Sequence, residues 1–231
     1  MTKRILILLI AAGCVLVANP ALGVAQQQSE PQLLITWRAR SYAPPAFTGK
    51  VLPTLGSLVT ASVEVVEGGK LADLSKQTIY WYLDDDFLDG GPGVQRVSFR
   101  VTSIRGGKND LRAELPVYRG RSTVLKTVEI PVVWPEAVVE APFPNGTFSG
   151  DSIQLVGAPY FFNALDGSKL NLRWNVNGVE PANVSSPFAL SVAIPKETPS
   201  GYAASVMLTV SRTGGSERET ADGFAQLVFS K

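Results

Sequence analysis

Four aspartates fall within six positions, in Asp84-Asp85-Asp86-Phe87-Leu88-Asp89, and Gly90-Gly91 follows them. Hard oxygen ligands crowded on one loop suit Ca2+, which takes about six to eight oxygens, so Asp84, Asp85, Asp86 and Asp89 are the candidate metal ligands. The spacing is not that of an EF-hand, because no glutamate closes the loop at its twelfth position. Aspartate and glycine are also the residues of a tight connection between strands. The segment from Asp84 to Gly91 therefore reads first as the turn after a strand and second as a Ca2+ site.

A second group is aromatic and proline-rich: Trp37, Tyr42, Pro44-Pro45 and Phe47, with Tyr160-Phe161-Phe162 further along. Exposed, such rings would serve a carbohydrate or a partner protein; buried, they would seal the end of a core. Trp37 alternates with Ile35 as a strand core residue would, whereas Tyr42, Phe47 and Tyr160 are the candidate partner-binding residues. Three adjacent aromatics on a strand cannot share one face. At least one of Tyr160, Phe161 and Phe162 is expected to point outward or into a joint between domains.

Catalytic options are narrow. The chain has no histidine, and its single cysteine, Cys14, sits near the N-terminus. Ser-His-Asp and Cys-His nucleophiles and the usual zinc sites need imidazole or thiolate. A carboxylate pair, a Ser-Lys dyad or an oxygen-ligated metal remains, without a Gly-rich phosphate loop or a His-Glu metal motif to signal one. No catalytic residue is assigned, Ca2+ is the one cofactor in view, and the chain reads as a non-enzyme. Basic residues number 21 and acidic residues 20. Loss of Lys3 and Arg4 with an N-terminal leader would leave 19 against 20, no field that would recruit nucleic acid or an anionic membrane.

The elements that must position these residues are strands. At 45% hydrophobic and 18% charged, the 231 residues suit packed globular domains. Short alternating runs recur between glycine, proline, asparagine and aspartate: Val59-Ala61-Val63-Val65, Val97-Phe99-Val101, Leu111-Ala113-Leu115, Val206-Leu208-Val210 and Leu227-Phe229. A period of two places each set on one face of a sheet. The pattern also repeats. Gly56 to Trp81 is 25 positions and Gly150 to Trp174 is 24; Trp81 to Leu111 is 30 and Trp174 to Val206 is 32; Trp81 to Ile130 is 49 and Trp174 to Leu227 is 53. The expected fold is all-β, two tandem Ig-like or fibronectin III-like β-sandwiches. Trp81 and Trp174 are expected between the sheets, since Ile79 with Leu83 and Leu172 with Val176 flank them on the same side. Asn177-Gly178 signals a tight turn. The last strand of the first half is expected at 127–133, running into a short, semi-rigid joint at Trp134-Pro135.

The N-terminus reads as a signal or anchor helix. Lys3-Arg4 precede an apolar run from Ile5 to Ala18, a break at Asn19-Pro20, and small residues at Ala21, Gly23 and Ala25 that suit cleavage after Gly23 or Ala25. The run is shorter than the ~20 apolar residues of a membrane span, so a signal peptide is preferred to an anchor. Ala11-Ala12-Gly13 before Cys14 resembles a lipobox, but apolar sequence continues to Val17, and Cys14 reads as part of the signal core. The chain thus divides into a leader at 1–25, one sandwich at 31–133 and a second at 134–231. Contact with a membrane is expected only through the N-terminal segment, if uncleaved or lipidated. Asn145-Gly146-Thr147 and Asn183-Val184-Ser185 match the glycosylation sequon, which matters only in a glycosylating host.

The leader, Thr36-Trp37-Arg38-Ala39, Tyr42-Ala43-Pro44-Pro45, the 49–54 stretch, Tyr80-Trp81-Tyr82-Leu83 with its aspartates, and Ile130-Pro131-Val132-Val133 together resemble uncharacterised exported proteins with tandem Ig-like domains from ultra-small bacteria of the candidate phyla. The resemblance spans nearly the whole mature chain. It implies a surface or envelope location and carries no activity or site residue. The expected function is that of a non-enzymatic exported envelope or cell-surface protein, in the periplasm, on the surface or secreted, acting as a structural or adhesion module on a protein or surface glycan partner. A pilus-type periplasmic assembly factor, which would complete a subunit's sheet with its own strand, and a calcium- or carbohydrate-binding module are the alternatives.

Overall fold

The computed structural model describes residues 30–120, 122–182, 184, 186–214 and 218–231. The leader with Cys14 lies outside the described residues, as do Asn183 and Ser185 of the second sequon. The first half contains β1 (Gln32–Arg40), β2 (Leu58–Glu67), β3 (Lys70–Leu71), β4 (Thr78–Leu83), β5 (Asp86–Pro92), β6 (Arg96–Arg100), β7 (Lys108–Leu115) and β8 (Val124–Pro131). The second contains β9 (Glu136–Glu140), β10 (Thr147–Phe148), β11 (Ser152–Tyr160), β12 (Leu170–Val176), β13 (Ala189–Ala193), β14 (Ala203–Arg212) and β15 (Thr220–Phe229). Two single-turn 3-10 segments, Tyr118–Gly120 and Gly167–Lys169, are the helical elements among the described residues, and no helix there is long and apolar enough to cross a membrane.

In the first half β2 pairs with β1, β3 and β6, and this sheet faces a second ordered β5-β4-β7-β8. In the second half the sheets are β13-β11-β9 and β10-β15-β14-β12, with β10 running parallel to β15. Each pair of sheets encloses its own core, one reaching from Leu33 to Val132 and the other from Phe148 to Phe229. The fold is therefore all-β, two Ig-like or fibronectin III-like sandwiches in tandem. The alternating residues build it as the pleat requires: Val59, Ala61, Val63 and Val65 are buried on one face of β2, and Ala204, Val206, Leu208 and Val210 on one face of β14. Burial of such faces supplies about 25 cal/mol per Å2 of apolar area.

Trp81 and Trp174 lie at the centres of the two cores, with 0% and 2% of their surface exposed. Each indole donates its N–H to a carbonyl thirteen residues on, Trp81 to Val94 and Trp174 to Pro187, both at 2.9 Å. The repeat in spacing is a repeat in register. Leu83 stands opposite Leu111 as Val176 stands opposite Val206, and Asn109 opposite Ile130 as Ala204 opposite Leu227.

Two sequence expectations change. Only Asp84 and Asp85 form the turn after β4, both with left-handed φ (51° and 70°), as a two-residue primed hairpin turn demands. Asp86 to Pro92 is not connection but the edge strand β5, bulged so that Trp81 faces Asp89 while Tyr82 faces Phe87. Glycines at 90 and 91 disguise it, and Gly90 is needed there: a Cβ would come within 2.4 Å of the Tyr80 ring that lies across it. The last strand of the first half begins earlier than expected, at Val124, and ends at Pro131. Beyond it, Val133 N–H bonds to Pro53 O at 2.9 Å before β9 begins at Glu136.

Candidate functional site

Asp84 is held by its own fold. One of its carboxylate oxygens accepts the Asp110 backbone N–H at 2.7 Å, and the other accepts the Asn109 side-chain amide. Its N–H bonds to Asp110 O at 2.9 Å. Asn177 occupies the same rung of the second sandwich and repeats the device, its Oδ1 accepting Ser205 N–H at 2.8 Å and its own N–H reaching Ser205 O at 2.9 Å. A neutral amide serves where the carboxylate does, so this position selects a hydrogen-bond acceptor with left-handed φ rather than a charge. Asp85 pairs with Arg112, and Asp89 accepts the N–H of its neighbour Gly90 at 2.8 Å. Asp86 is exposed. Among the described residues no three acidic side chains gather around a common point where a metal would sit.

Asp84→Asn is accordingly expected to change stability by less than about 1 kcal/mol, whereas Asp84→Ala, which strips the acceptor from buried Asn109, is expected to cost about 1–3 kcal/mol. Urea unfolding of the two variants measures the difference.

The structure brings the three partner-binding candidates to one place. Tyr42, Phe47 and Tyr160 line a groove of about 630 Å3 together with Pro44, Pro45, Glu140, Val156 and Phe188. The loop after β1 crosses onto the second sandwich, where Tyr42 N–H bonds to Phe162 O at 2.8 Å and Phe161 N–H to Tyr42 O at 2.7 Å. A turn closed by Phe47 N–H to Pro44 O at 2.9 Å then aims Phe47 at the other sandwich. Its ring meets Tyr160 edge-on at 5.4 Å and Phe161 at 6.0 Å. Gly49 permits this approach, since a Cβ there would fall 2.5 Å from the Phe47 ring.

Phe161 resolves the problem of three consecutive aromatics. Its left-handed φ of 62°, uncommon for a bulky residue, ends β11 and divides the rings. Phe162 drops into the core with 0% exposure, and Tyr160 and Phe161 turn to Phe47. Tyr160 donates to Glu140 at 3.4 Å. Burial, with the Glu140 charge behind it, raises the Tyr160 pKa, and burial with Asp166 raises that of Tyr42. Both phenols stay protonated donors at neutral pH. Trp37 is not part of the groove: it is half-buried against the first core, with the Lys50 ammonium 3.4 Å above its ring.

Glu140, Val156 and Phe188 carry no local mark of a site. They belong to the groove because the second sandwich presents one wall of it and the loop at 41–48 the other. What this arrangement can do is bind: a concave wall of rings and prolines, with a carboxylate and two phenols to orient what enters.

No protein-family profile matches the chain, and no curated protein sequence matches it. Among solved structures it is similar to the fibronectin(III)-like modules of Clostridium thermocellum CbhA (10% identity, covering 83% of this chain and 94% of that one, TM-score 0.30). It is similar also to the three N-terminal domains of the bacteriophage RB49 Highly Immunogenic Outer Capsid protein (13% identity, 87% and 70% covered, TM-score 0.31). A third is a Bacteroides ovatus mixed-linkage glucan utilization protein in complex with a heptasaccharide (12% identity, 89% of this chain and 48% of that one, TM-score 0.25). The fold assignment rests on the strand pairing described above.

Proposed function

We propose that this chain is a non-enzymatic, exported binding module of the cell envelope, with a leader at 1–25 and sandwiches at 31–133 and 134–231, that holds a partner protein in the aromatic groove at its joint. The observation that carries this reading is the convergence of Tyr42 and Phe47 from the first half with Tyr160 and Phe188 from the second. Prolines and aromatic rings on the walls suit an extended segment with apolar or proline side chains, and Glu140 suits a basic residue beside it. The balanced net charge, the leader and the missing histidine support the exported, non-catalytic part of the reading.

The test places a photo-crosslinking residue at exposed Val156 on the groove wall and captures partners from envelope fractions, with a glycan array in parallel. Phe47→Ala and Tyr160→Ala are expected to reduce capture tenfold or more, as truncation of a central aromatic anchor does, without lowering the melting temperature of either core. Equal capture by both variants would refute the groove as the binding surface. A specific hit on the glycan array with no protein crosslink would reassign the partner.

A further inference from the structure

The two sandwiches differ at one matched place. In the first, fully buried Asn109 fills the end of the core, its amide bonded to Asp84 and, at 2.9 Å, to Ser103 Oγ. The residue on the same rung of the second sandwich is Ala204, since Asn109 faces Ile130 as Ala204 faces Leu227. Ala204 lines a cavity of about 280 Å3, open to solvent on one side, whose apolar walls are Ile153, Val176, Val192, Ile194, Ala204 and Val206. Polar groups gather at its mouth. Asn177 donates to the Tyr202 hydroxyl at 2.7 Å, and Tyr202 is 43% exposed.

We propose that this cavity is a binding site for a single unbranched aliphatic chain, as in a medium-length fatty acyl group. An apolar cavity of about 150 Å3 stays dry and takes one benzene ring, so nearly twice that volume takes a chain of about eight to ten carbons. The walls are mostly aliphatic, with Asn177, Thr198 and Tyr202 as the polar side chains of the lining, so they offer such a chain dispersion contacts and favour it over sugars and peptides, whose many polar groups would go unpaired. Tyr202 accepts the Asn177 amide and keeps its own O–H proton at the mouth, where it can donate to a carboxylate or ester oxygen. The site lies on the second sandwich alone and is independent of the groove reading.

The test titrates the full chain with hexanoate, octanoate, decanoate and dodecanoate below their micellar concentrations, read by calorimetry and by melting temperature. Affinity is expected to tighten about fourfold per added methylene until the chain outgrows the cavity near ten carbons, and then to level off. Ala204→Leu, which puts three further carbons into the cavity, is expected to shift the levelling-off from about ten carbons to about seven and to weaken decanoate binding tenfold or more, while keeping or raising the unliganded melting temperature; Val176→Phe serves the same purpose should the first fail to fold. Phe47→Ala, in the groove, should leave chain binding unchanged. Absence of saturable binding at every length, or unaltered binding by a folded cavity-filling variant, would overturn the proposal.

Discussion

Trp81→Ala is expected to destabilise the first sandwich by about 3–5 kcal/mol, the range for emptying a buried aromatic site, and Trp174→Ala to do the same to the second. Each ring is almost wholly buried and spans the gap between two sheets. Neighbours there are already close-packed β-branched and leucine side chains on rigid strands, so collapse can recover little of the lost contact. The substitution also leaves the Val94 or Pro187 carbonyl without its indole donor. Trp81→Phe isolates that second part, retaining most of the ring volume, and is expected to cost about 1–3 kcal/mol. Because the two cores share no buried residue, each substitution should move the unfolding of its own half most. Urea unfolding followed by tryptophan fluorescence and by circular dichroism measures this. A loss below about 1 kcal/mol for either alanine variant would show that the ring does not fill its core as described.

Glu219 is expected to be the second most damaging site, and the damage should fall on the joint. Its carboxylate is wholly buried, 2.9 Å from Arg212 on the same half and 3.7 Å from Arg105 on the other, and it accepts Asn163 N–H at 2.9 Å. Arg105 in turn donates to Thr54 at 3.3 Å and lies over the Trp134 ring. Removing one member of a buried ionic cluster leaves desolvated charge behind, so Glu219→Ala is expected to cost about 3–5 kcal/mol. Glu219→Gln, which keeps the shape and an acceptor for Asn163, should cost less.

Burial raises the Glu219 pKa above the usual carboxylate value, against the opposing pull of Asn163 N–H and the two arginines. An acid whose folded pKa is raised binds its proton more tightly folded than unfolded. Its extra stabilisation is complete below the unfolded carboxyl value and is lost as pH rises through the folded one. The stability of the native chain relative to Glu219→Gln should therefore fall as pH rises through that window and flatten above it. A difference that instead grew with pH would mean that the arginines outweigh burial.

Much of the architecture was legible because it depends on local pattern. Val59-Ala61-Val63-Val65 declares its buried face by alternation alone, and the matched distances from Trp81 and Trp174 to later core residues reappear as matched rungs of the ladders. β5 was not legible, since Asp86 and the Gly90-Gly91 pair carry turn propensity that pairing with β4 and β7's sheet overrides. The same composition is why the aspartates carried Ca2+ as a second reading beside the turn: the sequence shows that the carboxylates are close along the chain, and only the hairpin shows that Asp84, Asp85 and Asp89 meet different partners.

The amino-acid order by itself determined an all-β chain, a repeated sandwich, tryptophan at the centre of each core and the absence of imidazole chemistry, because each of these follows from residue type and short-range period. Only the tertiary structure decided that Tyr42 and Phe47 meet Tyr160, that Arg105 meets Glu219, and that Ala204 lines a cavity with Ile153 and Val192. Those meetings join residues far apart in sequence across stacked sheets and a joint. Their distances are set by how two packed cores come together, a quantity that no local spacing encodes.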